Sequence, residues 1–101
     1  MKNKSTMQYD NELDELREQI DQVDKNILKL LAKRFELTEK VGIYKKNHDL
    51  PSCSEDRETL LFKEIKKLAE ELNLDTKLVK DIFELILARV KENHEHIKTS
   101  D

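Results

Sequence analysis

Apolar residues recur along the first half of the chain in alternating steps of three and four: Leu13, Leu16, Ile20, Val23, Ile27 and Leu30, then Leu37, Val41 and Tyr44. This is the seam of a long amphipathic helix, and it predicts helix over residues 12–47. Only Gly42 weakens that span, by about 1 kcal/mol relative to alanine. At 1.5 Å per residue the helix is roughly 50 Å long, about twice the diameter of a compact domain of this size. The rest of the chain is too short to cover such a seam. The pattern therefore calls for a partner chain, most simply a second copy related by a two-fold axis.

The run His48-Asp49-Leu50-Pro51-Ser52 interrupts the periodicity. Pro51 disfavours helix at Leu50 and ends the first helix. Ser52 or Ser54 can cap the next one, and Ser52 followed three residues later by Glu55 has capping-box spacing. A second helix is expected over 54–72, with Leu60, Leu61, Ile65, Leu68 and Leu72 on one face. Asn73-Leu74-Asp75 is a short turn in which Asp75 can cap a third helix. That helix, over 76–97, carries Leu78, Val79, Ile82, Phe83, Leu85, Ile86 and Val90. The expected fold is all-α, with one long and two shorter helices in a single domain over 11–98, between a flexible tail at 1–10 and a loose end at 99–101.

Composition narrows this further. Of 101 residues, 41% are charged and 37% apolar, with one Gly, one Pro and one Cys. So few chain breakers argue against an all-β fold. A single Cys excludes a disulfide framework and a multi-cysteine zinc site. Cys53 lies in a polar turn without a partner at catalytic spacing, and is expected to be an ordinary thiol. His48, His94 and His96 do not form a ligand set, so no metal is expected. The net charge of −3 disfavours a nucleic-acid or anionic-membrane binder. No apolar run approaches the ~20 residues needed to cross a bilayer. The first residues carry no apolar signal-peptide core, so the expectation is a soluble cytoplasmic protein.

The candidate chemistry begins at Arg34, which takes a seam position where the spacing calls for a large aliphatic side chain. A guanidinium set among apolar neighbours needs a partner. An ion pair with a nearby glutamate is the plainest one. Yet arginine is scarce here: the chain has 15 Lys and only four Arg, at 17, 34, 57 and 89. Arginine suits bidentate recognition of carboxylates in a way lysine does not. Arg57 stands near the start of the second helix, where its charge opposes the helix dipole. Lys45, 11 residues after Arg34, falls on the same helix face, roughly 16 Å along the axis. Two long side chains can reach one small ligand from there. Arg17, roughly 25 Å from Arg34 along the axis, cannot share that ligand within one chain, but an antiparallel neighbour could supply its own Arg17. The pattern suits a cationic pocket for a small dicarboxylate, completed between chains.

The runs Leu16-Arg17-Glu18-Gln19-Ile20-Asp21-Gln22-Val23-Asp24, Leu30-Leu31-Ala32-Lys33-Arg34 and Val41-Gly42-Ile43-Tyr44-Lys45, with Asp56-Arg57-Glu58 after the proline turn, resemble the all-helical, AroQ-type (type II) chorismate mutase family. The resemblance covers residues 12–97. It implies an intertwined homodimer of three-helix chains with two identical sites. It also implies the cofactor-free rearrangement of chorismate to prephenate in aromatic amino-acid biosynthesis. Arg34 matches the arginine that grips one substrate carboxylate, and Arg17 the arginine contributed by the other chain for the second. Lys45 matches the lysine that hydrogen-bonds the ether oxygen. Arg57 matches an arginine at the substrate end of the second helix, and Glu58 the glutamate at the ring hydroxyl.

Three positions depart from the family pattern. Ser54 stands where an Asp near that hydroxyl is common, and Val90 where a small Ser is common. His94 takes the place of the Gln, in some members Glu, that serves the ether oxygen beside the lysine; Asn93 points about 100° away and does not substitute. The reaction needs no proton transfer, only a held chair-like conformer and stabilised charge on the breaking ether oxygen. His94 is thus expected either as the second donor or as a solvated residue in the polar stretch Lys91–His96. Tyr44 and Phe83 are expected to pack in apolar stripes, His96 to lie at the surface, and Lys63–Glu71 to form a solvated face. Three other outcomes fit the same residues: action on 4-amino-4-deoxychorismate or isochorismate, a non-catalytic helical dimer whose seam arginines are only ion-paired, and a regulatory relative that binds the substrate but, with His94, turns it over poorly.

Overall fold

The computed structural model describes residues 7–52 and 54–100, with side chains from residue 11 onward. It contains three helices and, among the described residues, no strand: α1 Met7–Asn47, α2 Glu55–Glu71 and α3 Thr76–Thr99. The helix α1 takes in residues 7–10 of the expected tail. Residues 1–6, Cys53 and Asp101 lie outside the described residues, and so does the expectation of an ordinary thiol at Cys53. No helix among the described residues is long and apolar enough to cross a membrane.

Backbone geometry, more than proline, ends the helices. Leu50 N–H donates to the Lys45 carbonyl at 2.8 Å and Asp49 N–H to the Lys46 carbonyl at 3.3 Å. Asp49 between them has φ 53°. This is a Schellman cap with an aspartate in the left-handed position usually held by glycine. Pro51 follows two residues later, where the chain has already left the helix. The end of α2 repeats the device: Leu74 N–H bonds the Ala69 carbonyl at 2.8 Å, Asn73 N–H bonds the Glu70 carbonyl at 3.2 Å, and Asn73 has φ 58°. Asn and Asp tolerate this region better than other side chains.

The N-caps are side-chain caps. Ser54 Oγ accepts from Arg57 N–H at 3.3 Å, so the cap of α2 is Ser54 and not the Ser52–Glu55 box. Asp75 caps α3 as expected, its carboxylate accepting from Lys77 N–H at 2.9 Å and Leu78 N–H at 3.4 Å. Helix α3 runs past the expected end at 97 to Thr99, and Lys46 Nζ donates to the Ser100 carbonyl beyond it.

The chain divides after Arg34 into two compact units. The first is α1 up to Arg34. Its apolar stripe faces solvent, with Leu16, Ile20, Val23, Ile27 and Leu30 between 55% and 70% exposed. A single helix has no surface of its own on which to bury such a stripe.

The second unit holds residues 35–47 of α1, the proline turn, and the helical hairpin of α2 and α3. Ala69, Val90 and His94 are its buried side chains among those described. Leu61, Phe62 and Ile65 of α2 and Phe83, Ile86 and Leu87 of α3 are half-buried. Tyr44 does not pack in a stripe. It is exposed and stacks on the His48 ring at 3.9 Å.

Candidate functional site

In the second unit, the end of α1, the turn after it and the last part of α3 enclose a cleft of about 570 Å³. Gly42, Lys45 and Lys46 line it from α1, Asp49 to Ser52 from the turn, and His94 and Lys98 from α3. Lys45 and Lys46 stand in the last turn of α1, and Lys98 in the last turn of α3, where the helix dipole favours cations. Three ammonium groups against one carboxylate give the cleft a preference for an anionic guest.

Two nitrogens in the cleft converge on one oxygen. Lys45 Nζ donates to the Ser52 carbonyl at 3.3 Å, and His94 Nδ1 lies 3.4 Å from the same oxygen. An ammonium has three N–H donors, so Lys45 keeps others for a guest. The second ring nitrogen, Nε2, lies 2.8 Å from the Thr38 carbonyl. Thr38 orients itself locally, its hydroxyl donating to the Phe35 carbonyl at 3.1 Å.

His94 is 6% exposed, so the solvated alternative fails. Its neighbours in sequence are polar, but it lies four residues after Val90 and shares that residue's inward face. Helical phase decides burial here, and composition misleads. The ring lies directly over Gly42. A Cβ at position 42 would come within 2.7 Å of His94 Cδ2 and 2.9 Å of Ile97 Cδ1.

Of the residues singled out from sequence, Lys45 and His94 therefore share this cleft. Ser54, Arg57, Glu58 and Val90 do not line it. Ser54 is occupied as a helix cap. Glu58 pairs with Lys91 at 3.2 Å. Val90 is buried in the hairpin core, and Arg57 is exposed on the first turn of α2. Arg17 and Arg34 belong to the first unit, Arg17 exposed and Arg34 half-buried. Sequence reasoning missed Gly42, Thr38 and the Ser52 carbonyl. Gly42 carried a signal, since a lone glycine inside a helix needs a packing reason; two backbone carbonyls carry none.

The family model described as chorismate mutase type II matches residues 16–95. The chain is 34% identical over 79 residues to a chorismate mutase of Methanocaldococcus jannaschii, covering 78% of this chain and 80% of that protein. It is 39% identical over 90 residues to the T-protein of Enterobacter agglomerans, covering 87% of this chain but 24% of that longer protein. It is also 39% identical over 61 residues to a bifunctional chorismate mutase/prephenate dehydratase of Aquifex aeolicus, covering 60% of this chain and 17% of that protein.

Proposed function

Because the chain belongs to the chorismate mutase type II family, we propose that it rearranges chorismate to prephenate in aromatic amino-acid biosynthesis, with Lys45 and His94 serving the ether oxygen that takes up charge as its bond breaks. The observation that carries this is the approach of Lys45 Nζ and His94 Nδ1 to a single acceptor, the Ser52 carbonyl, at 3.3 and 3.4 Å. An ammonium and an imidazolium aimed at one oxygen need little reorganisation to serve another in the same cleft, and such preorganisation is the main source of rate in charge-developing reactions.

In this reading the arginines supply orientation. Arg34 grips one substrate carboxylate and Arg17 of a second copy grips the other, each as a planar fork. Holding both handles selects the compact conformer and removes the entropy of finding it. Glu58 and Arg57 serve the ring end, with Glu58 exchanging its Lys91 partner for the substrate hydroxyl. Ser54 and Val90 stand beside the ring substituent. The functional body is residues 11–98, with short tails outside it, and it works as an intertwined homodimer. The exposed stripe of the first unit supports the dimer, because a second copy offers the same stripe to cover it.

Incubating the purified protein with chorismate and following prephenate tests the activity. The Arg34→Ala variant should lose turnover by a factor on the order of 10³ or more, as expected when a bidentate carboxylate grip is removed from an orienting site. Parallel assays with 4-amino-4-deoxychorismate and isochorismate separate the substrates. Faster loss of either would reassign the chain within its scaffold.

A further inference from the structure

We propose that Gly42 is a positioning residue for the mutase reaction, acting through His94: its missing Cβ admits the imidazole to the Thr38 carbonyl, which accepts a hydrogen bond from Nε2–H and leaves Nδ1 as the nitrogen facing Ser52 on the cleft wall. The inference rests on the mutase reading for its kinetic part and on geometry alone for the ring.

The steric part is direct. A Cβ at position 42 would lie 2.7 Å from His94 Cδ2 and 3.1 Å from Nε2. Carbon atoms in contact sit at about 3.5–4.0 Å, so the ring would have to withdraw by most of an ångström. Two of the three atoms in conflict belong to the edge of the ring that reaches Thr38, and the third, Ile97 Cδ1 at 2.9 Å, is the far end of a flexible side chain. Withdrawal of the ring therefore lengthens the 2.8 Å contact between Nε2 and the Thr38 carbonyl.

The hydrogen-bonding part follows from the proton count. A neutral imidazole carries one N–H, and its other nitrogen is an acceptor. Both ring nitrogens face carbonyl oxygens, at 2.8 and 3.4 Å. The shorter contact takes the proton, so the neutral ring carries it on Nε2. The charged groups around the ring do not compete for Nε2: Lys45, Lys46 and Asp49 line the cleft from α1 and the turn, and Lys98 from α3. Thr38 thus fixes which nitrogen is bare, and Gly42 is what lets Thr38 be reached.

Two measurements decide it. Nitrogen NMR of the neutral His94 ring in the wild-type protein should show the proton on Nε2. A proton on Nδ1 would overturn the proposal. In kinetics, Gly42→Ala should lower kcat/KM for chorismate by up to about 100-fold, the scale of an ångström misplacement. Adding Gly42→Ala to His94→Ala should cost far less than in the wild type, because the methyl then meets only the flexible end of Ile97. An equal loss in both backgrounds, or no loss in the first, would remove Gly42 from this role. The ring measurement needs neither substrate nor variant, so it stands even where Gly42→Ala fails to fold. A wild-type chain that left chorismate unchanged would sink the mutase reading alone.

Discussion

In the proposed reaction His94 would do with a ring what an amide does with a flexible chain, and the exchange makes the donor depend on a proton. With its Nε2 proton held at Thr38, the ring donates from Nδ1 only as a cation, when both nitrogens carry hydrogen. A protonated ring makes Nδ1 a donor, and charge on the ether oxygen is then better stabilised. In the proposed reaction kcat/KM for chorismate should therefore be higher in acid than in alkali. Loss of one donor to a developing oxyanion costs roughly 10²–10³ in rate, which bounds the rise. His94→Gln donates at every pH, and its profile should be flat and high. A flat wild-type profile that coincides with the variant's would take His94 out of the reaction. Sequence alone placed Lys45 and His94 as a pair through the family register. It could not place Thr38 beside them, because that contact depends on how closely α3 crosses α1, and spacing along one helix says nothing about crossing distance.

At the level of helices, the ends were harder to read than the bodies. Three-and-four periodicity fixed which stretches are helical, because burial of a stripe repeats every turn. The stops depended on single left-handed residues, Asp49 and Asn73, which look like ordinary polar turn residues in a sequence. Replacing Asn73 by alanine puts a Cβ-bearing residue without a compensating amide in that region, and urea denaturation should show a loss of about 1 kcal/mol. Ser54 carries two readings that chemistry can separate. As the cap of α2 it satisfies Arg57 N–H, and Ser54→Ala should cost about 1 kcal/mol of stability. Asp is as good a cap as Ser, so Ser54→Asp should leave the denaturation midpoint nearly unchanged. If Ser54 also stands near the ring hydroxyl, the new carboxylate should lower KM for chorismate while stability holds. An unchanged KM would leave Ser54 as a cap only.

For the molecule as a whole, the question is whether one chain holds a complete site. The long seam was legible from sequence because nothing within one chain could cover it, and in the structure Leu16, Ile20, Val23, Ile27 and Leu30 remain open to solvent. What lies on that stripe determines where Arg17 works, and mixing two inactive variants distinguishes the cases. Arg17→Ala and Arg34→Ala should each be nearly inactive alone. If each site takes Arg34 from one chain and Arg17 from the other, a mixed dimer concentrates both lesions in one site and leaves the other intact. Random exchange at equal concentrations makes half the dimers mixed, so activity should recover to about one quarter of wild type. If each chain instead used its own Arg17 and Arg34, every site in a mixed dimer would lack one arginine and nothing would recover. Unfolding and refolding the two proteins together, with separately refolded samples as controls, reads the difference directly. Recovery also requires that the chains exchange, so a quarter of wild-type activity would establish the dimer and the crossing of Arg17 in one measurement. Absence of recovery, with mixed dimers verified by mass, would return Arg17 to its own chain.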